Sequence, residues 1–281
     1  MLRVAIPNKG QLSDPARAML KEAGYEAAAN SRELVVQDLE NDVEFFFLRP
    51  RDIATYVGSG TIDVGITGTD LLADSGVNAN TVLELSFAPS TFRLAAPKGV
   101  ATSVDYANGK RIATSYPGIL RTWLDDNKIT ADIVKLDGAV ENAVALGVAD
   151  LVADVVATGT TLRQAGLEVI GEPIFRSQAL LVSRPDVSED PRVTIFVRRL
   201  QGVIVARSYV LVDYDIPNDL VDKACAITPG IESPTVSPLQ NSSWSAVRSM
   251  VPRKNVHTIM DDLYEVGARG VLVTDIHACR L

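Results

Sequence analysis

Cysteine and histidine are scarce in this sequence, which holds 2 of each among 281 residues. Two cysteines are too few for a disulfide framework or a zinc site, and this usage is typical of a reducing compartment. His257 and His277 stand far from the polar motifs described below, so we expect both to be structural rather than catalytic. These scarcities predict a cytoplasmic protein.

Positive charge is also in short supply, because 27 Lys and Arg against 35 Asp and Glu give a formal net charge of −8. Such a chain has no global field to attract a nucleic acid, although a local basic pocket for a phosphorylated small molecule stays open. No stretch of about 18 residues is both apolar and uncharged. The segment MLRVAIPNKG soon turns polar, so we expect neither secretion nor membrane insertion.

The rest of the composition, 47% hydrophobic and 22% charged, is that of a globular protein. Up to residue 184, short apolar runs alternate with segments of helical period, which predicts an α/β fold with largely parallel sheets in two lobes. The predicted strands after Leu2 to Pro7 are Val35 to Leu39, Val43 to Phe47, Val64 to Ile66, Val82 to Leu85, Phe92 to Ala96, Arg111 to Thr114, Ile133 to Leu136 and Leu151 to Asp154.

A predicted long helix, Val193 to Tyr209, leads into a simpler C-terminal pattern. Its elements follow the order βαββαβ, which is the ferredoxin-like split unit. They are Tyr209 to Tyr214, Asn218 to Cys225, Thr235 to Leu239, Trp244 to Val251, Val256 to Val266 and Gly270 to Ile276. We expect a small regulatory domain here.

The most informative segment for chemistry is ENAVALGVADLVADVVATGTTL, from Glu141 to Leu162. Asp154 stands near the end of a predicted strand, and the loop Thr158-Gly159-Thr160-Thr161 follows it. The N–H groups and hydroxyls of such a loop can surround a phosphate while the carboxylate binds ribose hydroxyls. A strand that ends in a polar, threonine-capped turn has the same residues, so this pattern alone leaves both interpretations open.

The spacing of Glu141, Gly147, Asp154, Gly159 and Leu162 resembles the signature of the ATP phosphoribosyltransferase family. Further similarity lies in IPNKGQL (6–12), LRPRDIATYVGSGTIDVGITGTDLL (48–72), LVDYDIP (211–217) and ESPTVSPL (232–239). The resemblance spans the whole chain and is to the long form of the family, which carries a C-terminal regulatory domain.

This resemblance implies two periplasmic-binding-protein-like lobes, residues 1–90 plus 185–207 and residues 91–184, with the active site in the cleft between them. It also implies a histidine-binding domain of ferredoxin-like fold over residues 208–281. The implied reaction transfers the 5-phosphoribosyl group of phosphoribosyl pyrophosphate (PRPP) to N1 of ATP with release of diphosphate. The resemblance further implies Mg²⁺ held mainly by PRPP, inhibition by histidine, and a homo-oligomer (dimer and hexamer).

Residue by residue, the resemblance assigns Asp154 to the ribose hydroxyls of PRPP. It places Glu141 near the reacting ring, although a solvated acid on a helix face is the alternative. The residues assigned to the 5-phosphate are Thr158, Gly159, Thr160, Thr161 and Leu162.

Three cations follow predicted strands: Lys9 after the first, and Arg49 and Arg51 around Pro50. Cations at strand ends suit a polyphosphate, since one guanidinium can hold two oxygens, although each alone is also typical of a surface. Asp70 either contacts a ligand or caps a helix, and Tyr116 either stacks on a base or packs in the core. Some relatives carry Arg where Thr69 stands, which leaves a contact of Thr69 with ATP open.

An amino-acid ligand needs an acid for its ammonium group and donors for its carboxylate. Asp215, at a predicted strand-to-helix turn, and Ser233 and Thr235 in ESPTVSPL offer these groups, and the resemblance points to the same segments. Ordinary turn and cap roles are the alternative.

Two other functions fit a two-lobed chain: a non-catalytic small-molecule-binding protein and a catalytically silent regulatory subunit. The Asp154 loop and Lys9 count against both.

Overall fold

The computed structural model describes residues 1–26, 34–101, 103–156, 159–187 and 189–280. They form two compact units, of which the first comprises Met1–Lys21 with Tyr25–Val197 and the second Glu22–Gly24 with Arg198–Leu281. Two β-sheets lie in the first unit and one in the second.

The first sheet has the strand order β2-β3-β1-β4-β11-β5. Its strands are β1 (Leu2–Pro7), β2 (Val35–Asp38), β3 (Val43–Leu48), β4 (Val64–Gly68), β5 (Asn80–Glu84) and β11 (Ala179–Ser183). Its helices are α1 (Ser13–Glu22), α2 (Pro50–Gly58) and α3 (Thr69–Ser75). Ile53 and Val57 of α2 pack on Ala5, Leu180 and Val182 in one apolar cluster. This packing fixes the start of α2 beside the ends of β1 and β3.

The second sheet has the strand order β10-β6-β9-β7-β8. Its strands are β6 (Ser90–Pro97), β7 (Arg111–Thr114), β8 (Asp132–Lys135), β9 (Leu151–Val156) and β10 (Leu167–Ser177). Its helices are α4 (Pro117–Asp126), α5 (Asn142–Ala145) and α6 (Thr160–Gln164). One face buries Phe92 and Leu151, and the other buries Val152 and Leu162. Because both faces are covered, side chains reach a ligand only at the ends of the strands.

Both sheets are mixed, so the prediction of largely parallel sheets was wrong. The pairs β1–β3, β1–β4, β7–β8 and β7–β9 are parallel, whereas β5, β6, β10 and β11 pair antiparallel with their neighbours. The reason is the connection: these four strands carry the chain from one sheet to the other without the crossover helix that parallel neighbours need. Strand β11, within the predicted lobe 91–184, belongs to the first sheet.

The second unit contains an antiparallel sheet of order β13-β14-β12-β15. Helix α7 (Pro191–Ser208) precedes β12 (Tyr209–Pro217), α8 (Val221–Ile227), β13 (Thr235–Pro238), β14 (Trp244–Pro252), α9 (Val256–Val266) and β15 (Arg269–Asp275). This order confirms the predicted ferredoxin-like βαββαβ unit. Val212, Tyr214 and Ile216 alternate along β12 and pack with α8 and α9, which leaves the opposite face of the sheet uncovered by these helices.

Candidate active site

A cleft of about 560 Å³ lies between the two sheets of the first unit. Residues that follow β1, β3 and β4 line it from one side, and residues that follow β7 line it from the other. Ligands of α/β folds bind at the carboxyl ends of strands in this way. Among the sequence-predicted residues, the cleft is lined by Lys9, Arg49, Arg51, Asp70 and Tyr116.

The three predicted cations meet in this cleft because their strands are neighbours. Strand β1 pairs with β3, so the turn that carries Lys9 adjoins Arg49, which precedes the proline that begins α2. Proline suits the first position of a helix and holds the residue before it extended. Arg51 lies in the first turn of α2, where its Nη1 donates to Asp74 at 2.7 Å. All three cations are exposed to solvent.

Asp70 is buried at the edge of the cleft, with 6% of its surface exposed. Its Oδ1 accepts a hydrogen bond from the Ser177 hydroxyl at 2.7 Å, and the Ser177 hydroxyl accepts from the Asp70 N–H at 3.1 Å. Helix α3 has Gly68 as its N-cap and no side-chain cap. The structure therefore gives the Asp70 side chain a bond across the two sheets. The neighbouring Thr69 hydroxyl donates to the Gln178 carbonyl at 3.0 Å.

Tyr116 packs against the core, as one of its two alternatives predicts, and it is also accessible from the cleft. Its ring packs against Phe92 with centroids 5.5 Å apart, and it also lines the cleft. The Arg51 guanidinium lies over the same ring at 4.7 Å from its centroid, which is a cation–π contact. Burial, with Asp70 second, raises the pKa of the Tyr116 hydroxyl well above its usual value. The hydroxyl therefore stays protonated.

Asp154 and Glu141 lie together at the end of β9 but do not line the cleft of Lys9. Burial raises the pKa of Asp154 from 3.8 to about 6, and the Glu141 charge adds to that rise. The Val155 N–H donates to Asp154 Oδ1 at 2.8 Å, and this bond and Arg51 oppose the rise. Glu141 directly precedes the short helix α5, and Ala139 and Gly147 on either side of this region take left-handed φ values of 51° and 69°.

The predicted phosphate loop is described from Gly159 onward, whereas Thr158 lies outside the described residues. Gly159 has φ 71°, a left-handed value that favours glycine, and it is the N-cap of α6. Thr160 and Thr161 are exposed in the first turn. The Leu162 side chain packs in the core with 6% exposure, so only its backbone is left for a phosphate.

Several cleft residues were missed from the sequence. Lys135 ends β8, so the strand-end rule that selected Arg49 also applies to it. Ser177 and Gln178 lie where β10 passes into β11. Asp74, one turn beyond Asp70 on α3, does not line the cleft but bonds the cleft residue Arg51. Nothing local marks these last three, because their partners are distant in the sequence.

In the second unit, Asp215 and Thr235 share the face of the sheet that turns away from the core. Asp215 pairs with Ala246, Thr235 pairs with Arg248, and β14 separates them. Strand β12 continues to Pro217, so Asp215 lies inside a strand and the predicted turn position was wrong. Its side chain is half-buried, while Ser233 is exposed and donates to the Pro234 carbonyl. His257 and His277 are exposed in this unit.

No helix in the described ranges has the length and apolar character needed to cross a membrane.

Comparison with known proteins identifies families for both parts of the chain. The family model for ATP phosphoribosyltransferase (HisG) matches residues 49–202, and that for the HisG C-terminal domain matches residues 206–278. The chain is 60% identical to an ATP phosphoribosyltransferase of Pseudarthrobacter chlorophenolicus over 100% of both chains.

Two solved structures resemble about three quarters of the chain. The ATP phosphoribosyl transferase (HisG:HisZ) complex of Thermotoga maritima matches with TM-score 0.63 and 30% identity, over 73% of this chain and 98% of that chain. A histidine kinase sensor domain with similarity to periplasmic binding proteins matches with TM-score 0.50 and 14% identity, over 73% of this chain and 90% of that chain. The second likeness concerns the fold alone, and it confirms the predicted two-lobed class. The chain therefore belongs to the ATP phosphoribosyltransferase family, and it is a pentosyltransferase that catalyses the first step of histidine biosynthesis.

Proposed function

We propose that ATP and PRPP meet in the cleft between the two sheets, with polyphosphate on Lys9, Arg49 and Arg51. The observation that carries this proposal is the charge pattern: four exposed cations, Lys9, Arg49, Arg51 and Lys135, line the cleft, and the Arg51 charge acts on the pKa of the partly buried Asp154 carboxyl. A phosphorylated sugar needs both kinds of group, cations for its phosphates and a carboxylate for its hydroxyls.

In the proposed reaction, N1 of the adenine forms a bond to C1 of PRPP while the bond from C1 to diphosphate breaks. Positive charge develops on the ribose ring as diphosphate leaves. The Asp154 carboxylate binds the ribose hydroxyls and faces that charge, with Glu141 next to it, and the cations stabilise the leaving diphosphate. Gly159, Thr160 and Thr161 hold the 5-phosphate, which fixes the ribose for in-line attack. Tyr116 is assigned to the adenine base.

The residues around Asp154 suit Mg²⁺ that PRPP brings with it. Among the described residues, no three His, Cys, Asp or Glu side chains are grouped to hold a metal ion. Mg²⁺ commonly takes one or two carboxylates and completes its shell with substrate oxygens and water. Asp154 and Glu141 are two neighbouring carboxylates that would offer such ligands. Bound there, Mg²⁺ would neutralise charge on the diphosphate.

We also propose that the second unit binds histidine as an inhibitor, with Asp215 for the ammonium group and Ser233 and Thr235 for the carboxylate. Asp215 and Thr235 share one face of the sheet, which supports a single site. The homo-oligomer, dimer and hexamer, and the cytoplasmic location stay predictions. The family supports catalysis over the two non-catalytic alternatives.

The substitution Asp154→Asn tests the active-site proposal. Asparagine keeps the oxygen that accepts from Val155 but loses the charge, so we expect kcat/KM for PRPP to fall about ten- to a hundredfold. The measurement is PRPP-dependent formation of phosphoribosyl-ATP.

The matched control is Asp150→Asn, which removes the charge of an ion pair with Arg111 at the other end of β9. Its kcat/KM should stay within about twofold of the original value, since exposed pairs contribute little. An unchanged kcat/KM in folded Asp154→Asn would show that the assignment is wrong.

A further inference from the structure

The side chain of Asp74 connects the two sheets of the first unit. Asp74 lies within helix α3 and does not directly follow a strand of either sheet. It is 4% exposed. Its Oδ1 accepts from the N–H groups of Gly118 at 2.7 Å and Ile119 at 3.2 Å, and its Oδ2 accepts from Arg51 Nη1 at 2.7 Å. One carboxylate thus binds a cleft cation of the first sheet and a helix of the second.

The contact with α4 replaces a cap that this helix does not have. Tyr116 occupies the N-cap position and makes no side-chain cap hydrogen bond. The first N–H groups of a helix need acceptors, and a carboxylate there also opposes the positive end of the helix dipole. Asp74 supplies both from the other sheet.

Gly118 is the residue that allows this approach. A Cβ at this position would lie 2.6 Å from the Asp74 backbone oxygen, closer than real contacts permit. The helices α3 and α4 therefore meet only because position 118 has no side chain.

We propose that Asp74 is a positioning residue for the transferase reaction: it holds the Arg51 guanidinium over Tyr116 and sets the distance between α3 and α4. This inference depends on the proposed role of Arg51 in binding polyphosphate. One carboxylate makes both contacts of Asp74, the ion pair with Arg51 and the hydrogen bonds to α4. The position of the Arg51 cation and the contact between the two sheets therefore depend on the same group.

The substitution Asp74→Asn separates these two contacts. The amide oxygen still accepts from Gly118 and Ile119, while the amide nitrogen faces Arg51 and breaks the ion pair. We expect KM for ATP or PRPP to rise roughly three- to tenfold, with kcat within twofold and an unchanged circular dichroism spectrum. Asp150→Asn is the control, because Asp150 also accepts from a guanidinium and a backbone N–H, both of Arg111.

A double-mutant cycle with Arg51→Ala distinguishes positioning from a general structural role. If Asp74 acts through Arg51, Asp74→Asn adds nothing to the KM of Arg51→Ala, whereas independent roles multiply. If Arg51→Ala raises KM but Asp74→Asn leaves it normal, the inference about Asp74 is overturned while the proposed role of Arg51 stands. A normal KM in Arg51→Ala overturns the proposed role of Arg51.

Gly118→Ala is a second variant that keeps every charge. The added methyl group pushes Asp74 from α4, so we expect KM to rise here as well. If Asp74→Asn does not fold, a normal KM in folded Gly118→Ala overturns the inference.

Discussion

The Asp154 carboxylate, which we propose binds ribose, has a cost in stability. Burial raises its pKa to about 6, because a charged carboxylate is less stable away from water. In the unfolded chain the same group titrates near 3.8. Between these two values the folded protein binds more protons than the unfolded chain, so this group lowers the free energy of unfolding as the pH rises from about 4 to 6.

This titration predicts a pH dependence of activity. As the pH falls through about 6, Asp154 gains a proton and loses the charge that binds ribose, so kcat/KM for PRPP should decline on the acid side. In Asp154→Asn this acid limb should disappear. The ratio of the two pH profiles removes the ionisation of PRPP itself, which both enzymes share.

Thermal unfolding provides a second observation on the same pair of proteins. At pH 7, Asp154→Asn should be more stable than the original protein by about 1 to 2 kcal/mol, since it buries no charge. If the two proteins are equally stable and Asp154→Asn keeps the acid limb of the pH profile, Asp154 is not a partly buried group that titrates near pH 6.

Single residues were predictable where a motif was local. Asp154 and Gly159 stand five positions apart in one segment, and the family resemblance of that segment selected both as candidates. Asp74 and Ser177 were not predictable, because Asp74 bonds Gly118 at a separation of 44 residues and Ser177 bonds Asp70 at a separation of 107 residues. Such pairs depend on how the two sheets come together.

Two neighbouring strands of the first sheet place cations at one edge of that sheet. Strand β1 is followed by Lys9 and strand β3 by Arg49, and the two strands are parallel neighbours. Arg51 is delivered by the start of α2. A rigid, buried pair of strands therefore sets the spacing of the charges that are proposed to bind a flexible polyphosphate.

Removal of these charges should weaken substrate binding selectively. Lys9→Ala and Arg51→Ala are expected to raise KM for ATP or PRPP about tenfold, and Arg51→Lys should have a smaller effect because the charge persists without the two-pronged geometry. Steady-state kinetics against each substrate separately is the measurement. If neither alanine variant changes either KM, these cations are surface charges without a role in binding.

Elements were more predictable than their pairing. Apolar periodicity located β1 to β9 to within a few residues, since burial on two faces leaves a continuous apolar run, but it missed β10 and β11. The direction of β10 and β11 was not predictable, because nothing in Leu167–Ser177 or Ala179–Ser183 shows that the chain passes directly between sheets.

At the scale of the whole molecule, the chain combines a unit of two sheets with a second unit that has its own apolar core. That core is built from one βαββαβ pattern, whose complete local sequence made this part of the fold the easiest to predict. Its proposed ligand is a different molecule from the substrates. Inhibition at a distance then requires histidine to favour one conformation of the enzyme, with a coupling of about 1 to 3 kcal/mol.

The proposed histidine site predicts that Asp215→Ala raises the inhibitory histidine concentration in the full chain roughly tenfold and leaves activity without histidine unchanged. Asp222→Ala, which removes an exposed acid from α8, is the control. Inhibition curves and calorimetry are the measurements. Unchanged inhibition would remove Asp215 from the site, and absence of histidine binding to the intact protein would contradict the regulatory role.

The passage of β10 into β11 has a consequence for how such enzymes diversify. The chain enters the second sheet after residues 85–89 and leaves it at Gln178, so residues 90–177 form one uninterrupted insertion. Asp154 and Gly159 lie within this insertion, whereas Lys9 and Arg51 lie outside it. Recombination between two relatives, with one junction on each side of residues 90–177, thus exchanges the residues proposed to recognise ribose as one continuous segment. The groups proposed to bind polyphosphate stay unchanged in such an exchange.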